Sequence, residues 1–129
     1  MTTSQQVSST VMEKNKLREN ILSEINRLQR GISFAELARI KGFTGNFEWF
    51  NSKWNVVYWT QMSEEAIEIM QDLCDERKIT VRPAHWLVYF IDGLVPKRYP
   101  IAKSARSYKK TRWLPIVFDK IHNQAVNLT

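Results

Sequence analysis

Few side chains in this sequence are suited to covalent chemistry. They are one cysteine, Cys74, two histidines, His85 and His122, and a group of carboxylates at Glu64, Glu65 and Glu68. A nucleophile needs a base within hydrogen-bond reach, and an acid–base pair needs two groups held at different pKa values. No spacing here suggests either. His85 lies in an expected turn, Pro83-Ala84-His85, and His122 stands alone near the C-terminus. Cys74 flanks an apolar helical stripe, which favours a buried, inert thiol. The three glutamates fall in the first turns of an expected helix, where carboxylates complement the positive end of the helix dipole. The four glycines (Gly31, Gly42, Gly45, Gly93) mark turns and form no phosphate-cradling loop. Metal ligands at useful spacing are absent. The expectation is a protein that is not an enzyme and carries no metal and no cofactor.

The chemistry that the sequence does favour is electrostatic. From Lys97 to Trp113, "KRYPIAKSARSYKKTRW", it carries Lys97, Arg98, Lys103, Arg106, Lys109, Lys110 and Arg112 and no acidic residue. The whole chain of 129 residues has a net charge of +6. That charge is unevenly spread. Residues 1–60 carry eight cations against five anions, residues 61–95 three against seven, and residues 96–129 eight against one. Cations at this density displace counterions from phosphates, and Tyr99, Tyr108 and Trp113 add rings that can stack on unpaired bases. Arg82, beside a turn, offers a further backbone contact, and Asn46, Asn51 and Lys53 offer limited base reading. Three other outcomes use the same charges. The basic segment can fold back on the acidic stretch 63–77, or stay a solvated arm. It can also meet the acidic stretch of a second molecule head to tail and build an oligomer.

The elements that must position these residues follow from periodicity. Residues 1–10 are polar and aperiodic, which predicts a disordered tail. Leu17, Ile21, Ile25 and Leu28 share one helical stripe, closed by Gly31. Ser33-Phe34-Ala35-Glu36 fits a capping box, with Gly42 as the stop. Phe47, Phe50 and Trp54 predict a short helix over 46–53, and Asn55–Thr60 a strand. Ser63 to Arg77 is the strongest helix, capped by Ser63 and striped by Met62, Ala66, Ile69, Met70 and Leu73. "ITVR" and "WLVYFI" predict a β-hairpin through Pro83-Ala84-His85. "WLPIVF" is a candidate strand that Pro115 would confine to a sheet edge.

The order of these elements, and above all "AIEIMQDLCDERKI" running into "TVRPAHWLVYFIDG", resembles a winged helix-turn-helix over residues 17–92. The resemblance implies an α+β, mainly helical fold, with a winged-helix-like three-helix core, a β-hairpin wing and a basic C-terminal extension. It also implies DNA binding through the last helix of the trio. That helix here carries Glu64, Glu65, Glu68, Asp72, Asp75 and Glu76, so phosphates would be repelled from it.

The resulting domain plan is a tail at 1–10, a winged-helix-like domain at 11–95 and a basic extension at 96–129 packed on it. No uninterrupted apolar run reaches the roughly 18–20 residues of a spanning helix, and the N-terminus lacks a secretory pattern. A single cysteine suits a reducing compartment, so a cytoplasmic protein without a membrane partner is expected. The expected function is binding of nucleic acid, DNA before RNA, as a regulator or accessory factor. The alternative is a protein-interaction module, an inhibitor or adaptor working through Glu68, Asp72, Glu76 and exposed aromatics.

Overall fold

A computed structural model describes residues 2–85, 87–91 and 99–121, with side chains for 11–85, 87–89 and 99–121. The order is α1 (Thr2–Leu28), α2 (Phe34–Leu37), β1 (Thr44–Asn51), β2 (Val56–Met62), α3 (Glu64–Asp75), β3 (Ile79–Pro83), α4 (Leu87–Ile91), β4 (Arg112–Trp113) and β5 (Ile116–Lys120). The strands form two sheets, one ordered β1-β2-β4 and the other pairing β3 with β5. β1 and β2 run antiparallel, β4 lies parallel to β2, and β3–β5 is antiparallel.

The two long helices follow the periodicity. α1 buries Leu17, Ile21 and Ile25 on one stripe. It ends at Leu28, where Gln29 takes a left-handed φ of 70°, two residues before Gly31 at 69°. The helix also takes in residues 2–10, which their polar composition marks as a tail. α3 starts where Ser63 accepts a hydrogen bond from the Ala66 N–H, and it buries Ala66, Ile69, Met70 and Leu73. α2 is a single turn whose Ser33 hydroxyl accepts from the Glu36 N–H.

The winged-helix expectation fails at three places. First, residues 44–51 are a strand and not a third helix. Helical spacing of Phe47, Phe50 and Trp54 competes here with pairing to β2, and the register breaks at three points along the ladder. Only Trp49 of this run is buried, while Phe47 and Phe50 are exposed. Second, the expected hairpin between 79–82 and 86–91 does not form. Leu87–Ile91 is a short helix, and β3 pairs instead with β5. A short apolar run without alternation fits a strand or a buried helical turn equally well by pattern alone. Tyr89 decides it, because its buried hydroxyl donates to the Ile116 carbonyl and accepts from the Phe34 N–H. Third, α2 and α4 are only single turns, so the fold is a mixed one with two sheets and not a mainly helical, three-helix core.

Pro115 sits between β4 and β5 rather than inside one edge strand. It cannot donate to a ladder, and the chain passes there from the first sheet to the second. Its carbonyl accepts from the Ala84 N–H. Both strands and the link between them carry core residues: Trp113, Leu114, Ile116, Val117 and Phe118 are all buried. Phe34 forms the centre of the core. Its ring stacks on Trp59 at 5.2 Å, meets Phe118 edge-on at 5.0 Å and touches Trp49 edge-on at 5.9 Å. Residues 112–118 are thus integral to the fold, and they anchor the C-terminal end of the described basic segment. Among the described residues no helix is long and apolar enough to cross a membrane.

Candidate nucleic-acid interface

The site is built on the turn between β1 and β2. Asn51 closes that turn: its side-chain oxygen accepts from the Trp54 N–H, and its amide donates to the Tyr58 hydroxyl. Asn55 sits at φ 58°, a left-handed conformation that asparagine tolerates better than most residues. The basic segment then docks on this turn. The Tyr108 N–H donates to the Trp54 carbonyl, and the Arg112 N–H to the Asn55 carbonyl. The Asn55 side-chain amide donates to the carbonyls of Tyr108 and Lys109, and its oxygen accepts from the Thr111 hydroxyl. The Ser107 hydroxyl donates to the Lys53 carbonyl. These bonds tie residues 107–112 to residues 53–55.

The result brings Lys53 to the same loop cluster as Arg106, Lys109, Lys110 and Arg112, with Lys103 a few residues before them. Lys53, Lys103, Arg106, Lys109 and Lys110 are exposed, and Arg112 is half-buried. No carboxylate occurs in 99–112 or in 50–56. Glu48 lies at the margin, where it accepts from the Tyr99 hydroxyl at 2.9 Å. Lys97 and Arg98 lie outside the described residues.

Tyr108 organises the centre. The guanidinium carbons of Arg106 and Arg112 lie over its ring, 5.1 and 5.0 Å from the centroid. Its hydroxyl donates to the Ser104 carbonyl and accepts from the Ser104 N–H. Hydrogen bonding to Ser104 and the charge of Arg106 lower its phenol to about 8. None of the three rings expected to stack on bases is free for it. Trp113 is fully buried, Tyr99 is tied to Glu48, and Tyr108 holds two guanidiniums.

The other expected contacts are dispersed. Arg82 belongs to the second sheet and pairs with Asp119 at 2.7 Å. Burial favours the neutral form of that carboxyl. Even so, the Arg82 side chain and the Gly31 N–H hold Asp119 below its usual range. Asn46 is exposed on β1, while Asn51 is spent on the turn. Asn46 and Asn51 are therefore strand residues and do not form a reading helix.

Two carboxylates of the acidic helix are paired from the opposite end of the chain. Glu68 pairs with Lys14 and Glu76 with Arg18, both cations on α1. The Glu68 hydrogen bond raises the Lys14 pKa. Asp72 remains exposed on the same helix. Among the described residues no ion pair joins 99–112 to α3. Cys74 is half-buried, and burial with the nearby Asp75 pushes its thiol up to about 11. Among the described residues no group of His, Cys, Asp and Glu is placed to hold a metal. The role of Asn55 as the clamp of the basic loop was not anticipated, and only its position before a β-branched run hinted at a turn. No family model, curated protein or solved structure matches this chain.

Proposed function

We propose that this protein binds duplex nucleic acid, DNA before RNA, as an accessory or regulatory factor that grips the sugar–phosphate backbone. The observation that carries this reading is the docking of the acid-free loop 103–112 on the Lys53 turn. Six cations, Lys53, Lys103, Arg106, Lys109, Lys110 and Arg112, stand on one pinned loop cluster whose charge no acidic side chain of α3 offsets. The backbone that carries these cations is ordered beforehand, and cations gathered in this way release counterions from phosphates. Contacts of this kind position a protein on a duplex and carry no sequence information. Binding should therefore depend weakly on sequence, since Asn51 is committed to its own turn.

Two of the three acidic residues that an adaptor reading would use, Glu68 and Glu76, are engaged with α1 instead. That favours the nucleic-acid reading over the adaptor one. The test is a fluorescence-anisotropy titration of a labelled random duplex at low salt. Lys103→Ala, Lys109→Ala and Lys110→Ala together should weaken binding by on the order of tenfold or more, and alike for unrelated sequences. The same titration with Glu68→Lys and Asp72→Lys on α3 should show no loss. A triple variant that binds as well as the parent would end the proposal.

A further inference from the structure

We propose that Tyr108 is a positioning residue, holding the guanidiniums of Arg106 and Arg112 for the phosphodiester backbone of a duplex, and that no base stacks at this site. The inference rests on the nucleic-acid reading above and names how the loop engages its ligand.

Both guanidinium carbons lie over the Tyr108 ring. A base stacking on a face that a guanidinium covers would have to displace that arginine, losing a cation–π contact and a phosphate ligand together. The ring is itself fixed at two points. Its backbone N–H is bonded to Trp54, and its hydroxyl is bonded to both backbone groups of Ser104. Arg112 is restrained further, because its guanidinium donates to the Ile101 carbonyl. An unrestrained arginine loses much rotamer freedom on binding, and a planar fork held beforehand loses less. Arginine forks match phosphate oxygens in a two-bond geometry that lysine cannot reproduce. The neighbouring lysines then supply charge, while the arginine pair supplies orientation. With Trp113 buried and Tyr99 bound to Glu48, the other two rings of the basic segment are not free for an unpaired base.

The experiment measures duplex affinity for the full chain and for Tyr108→Phe, Tyr108→Leu, Arg106→Ala/Arg112→Ala and the triple combination with Tyr108→Leu. Tyr108→Phe keeps the ring but loses the Ser104 bonds and should weaken binding less than Tyr108→Leu, which should weaken it about five- to tenfold. In the Arg106→Ala/Arg112→Ala background, Tyr108→Leu should have no further effect, because the residues act as one unit. That non-additivity separates positioning from a general loosening of the loop, which would weaken binding in either background. A single strand of equal length should bind no more tightly than the duplex.

Equal affinity of Tyr108→Leu and the parent would overturn the inference, as would full additivity with the arginine variants or a marked preference for the single strand. Loss of binding in the Lys103/Lys109/Lys110 alanine variant alongside an unaffected Tyr108→Leu would sink this inference alone. If the lysine variant also binds normally, the nucleic-acid reading itself fails.

Discussion

Asn55 carries more of the basic loop than any other residue, so Asn55→Gly is an informative perturbation. Glycine keeps the left-handed backbone at φ 58° without steric strain and removes only the side chain. The lost bonds are those to the Tyr108 and Lys109 carbonyls at 3.2 Å each and from the Thr111 hydroxyl at 2.7 Å. A hydrogen bond contributes about 0.5–1.5 kcal/mol net, and these are partly exposed, so the low end applies. Glycine also adds unfolded-state freedom, roughly 0.5–1 kcal/mol. Asn55→Gly should therefore destabilise by about 2–2.5 kcal/mol on these figures. Asn55→Ala should fare no better, since alanine in the left-handed region adds roughly 1 kcal/mol of strain. Urea denaturation monitored by tryptophan fluorescence measures the change. A duplex titration of the same variant should give weaker binding, because the cations remain but must be ordered on contact. A stability change under about 0.5 kcal/mol, with unchanged affinity, would refute the claim that Asn55 clamps the loop.

Three further outcomes follow from the geometry. A methyl group at Gly45 would lie 2.6 Å from the Ser63 Cα and 2.7 Å from the Met62 carbonyl oxygen. Gly45→Ala should consequently cost about 1–3 kcal/mol in the same urea assay, as over-packing against backbone does. Asp119 is bonded to the Gly31 N–H and paired with a half-exposed Arg82, so Asp119→Ala should destabilise by about 1–2 kcal/mol. Its folded pKa lies below the unfolded value, so its contribution is complete above the unfolded pKa and is lost as pH falls through the folded one. Urea midpoints of parent and variant should accordingly converge at acid pH. Tyr108 ionises near 8 among the loop cations, and its phenolate would subtract charge from the cluster. Duplex affinity should fall as pH rises through about 8, and Tyr108→Phe should flatten that fall.

The residues explain why some of this was legible in the sequence. The stripes of α1 and α3 and the Ser63 cap are local patterns, and tertiary structure had no reason to override them. The strand at 44–51 was not legible, because its aromatic spacing also fits a helix and only pairing with β2 decides the matter. The partner of β3 was equally hidden. The nearest apolar run, 86–91, looks like its natural hairpin mate, but the Tyr89 hydroxyl is needed between Phe34 and Ile116 in the core. β5 then supplies the ladder from some 35 residues further along, and no periodicity encodes such a distance.

The concentration of charge in 97–112 was plain from composition, and so was the acidity of 63–77. Which of them neutralises which was not. Two of the acidic side chains pair instead with Lys14 and Arg18, which look like ordinary solvent-facing residues of a long helix until α3 packs beside them. The aromatics misled in the opposite direction. Tyr99, Tyr108 and Trp113 read as stacking rings only because sequence does not record that each is already occupied.

Six cations gathered on one loop cluster, two of them arginines held over the Tyr108 ring, are proposed to meet phosphates. The most direct measurement is the dependence of duplex affinity on salt between about 50 and 200 mM. Each engaged phosphate contributes roughly −0.9 to the slope of log K against log salt, so three to six engaged cations predict a slope between about −3 and −5. A slope shallower than about −1, or no measurable binding at the lowest salt, would contradict the account.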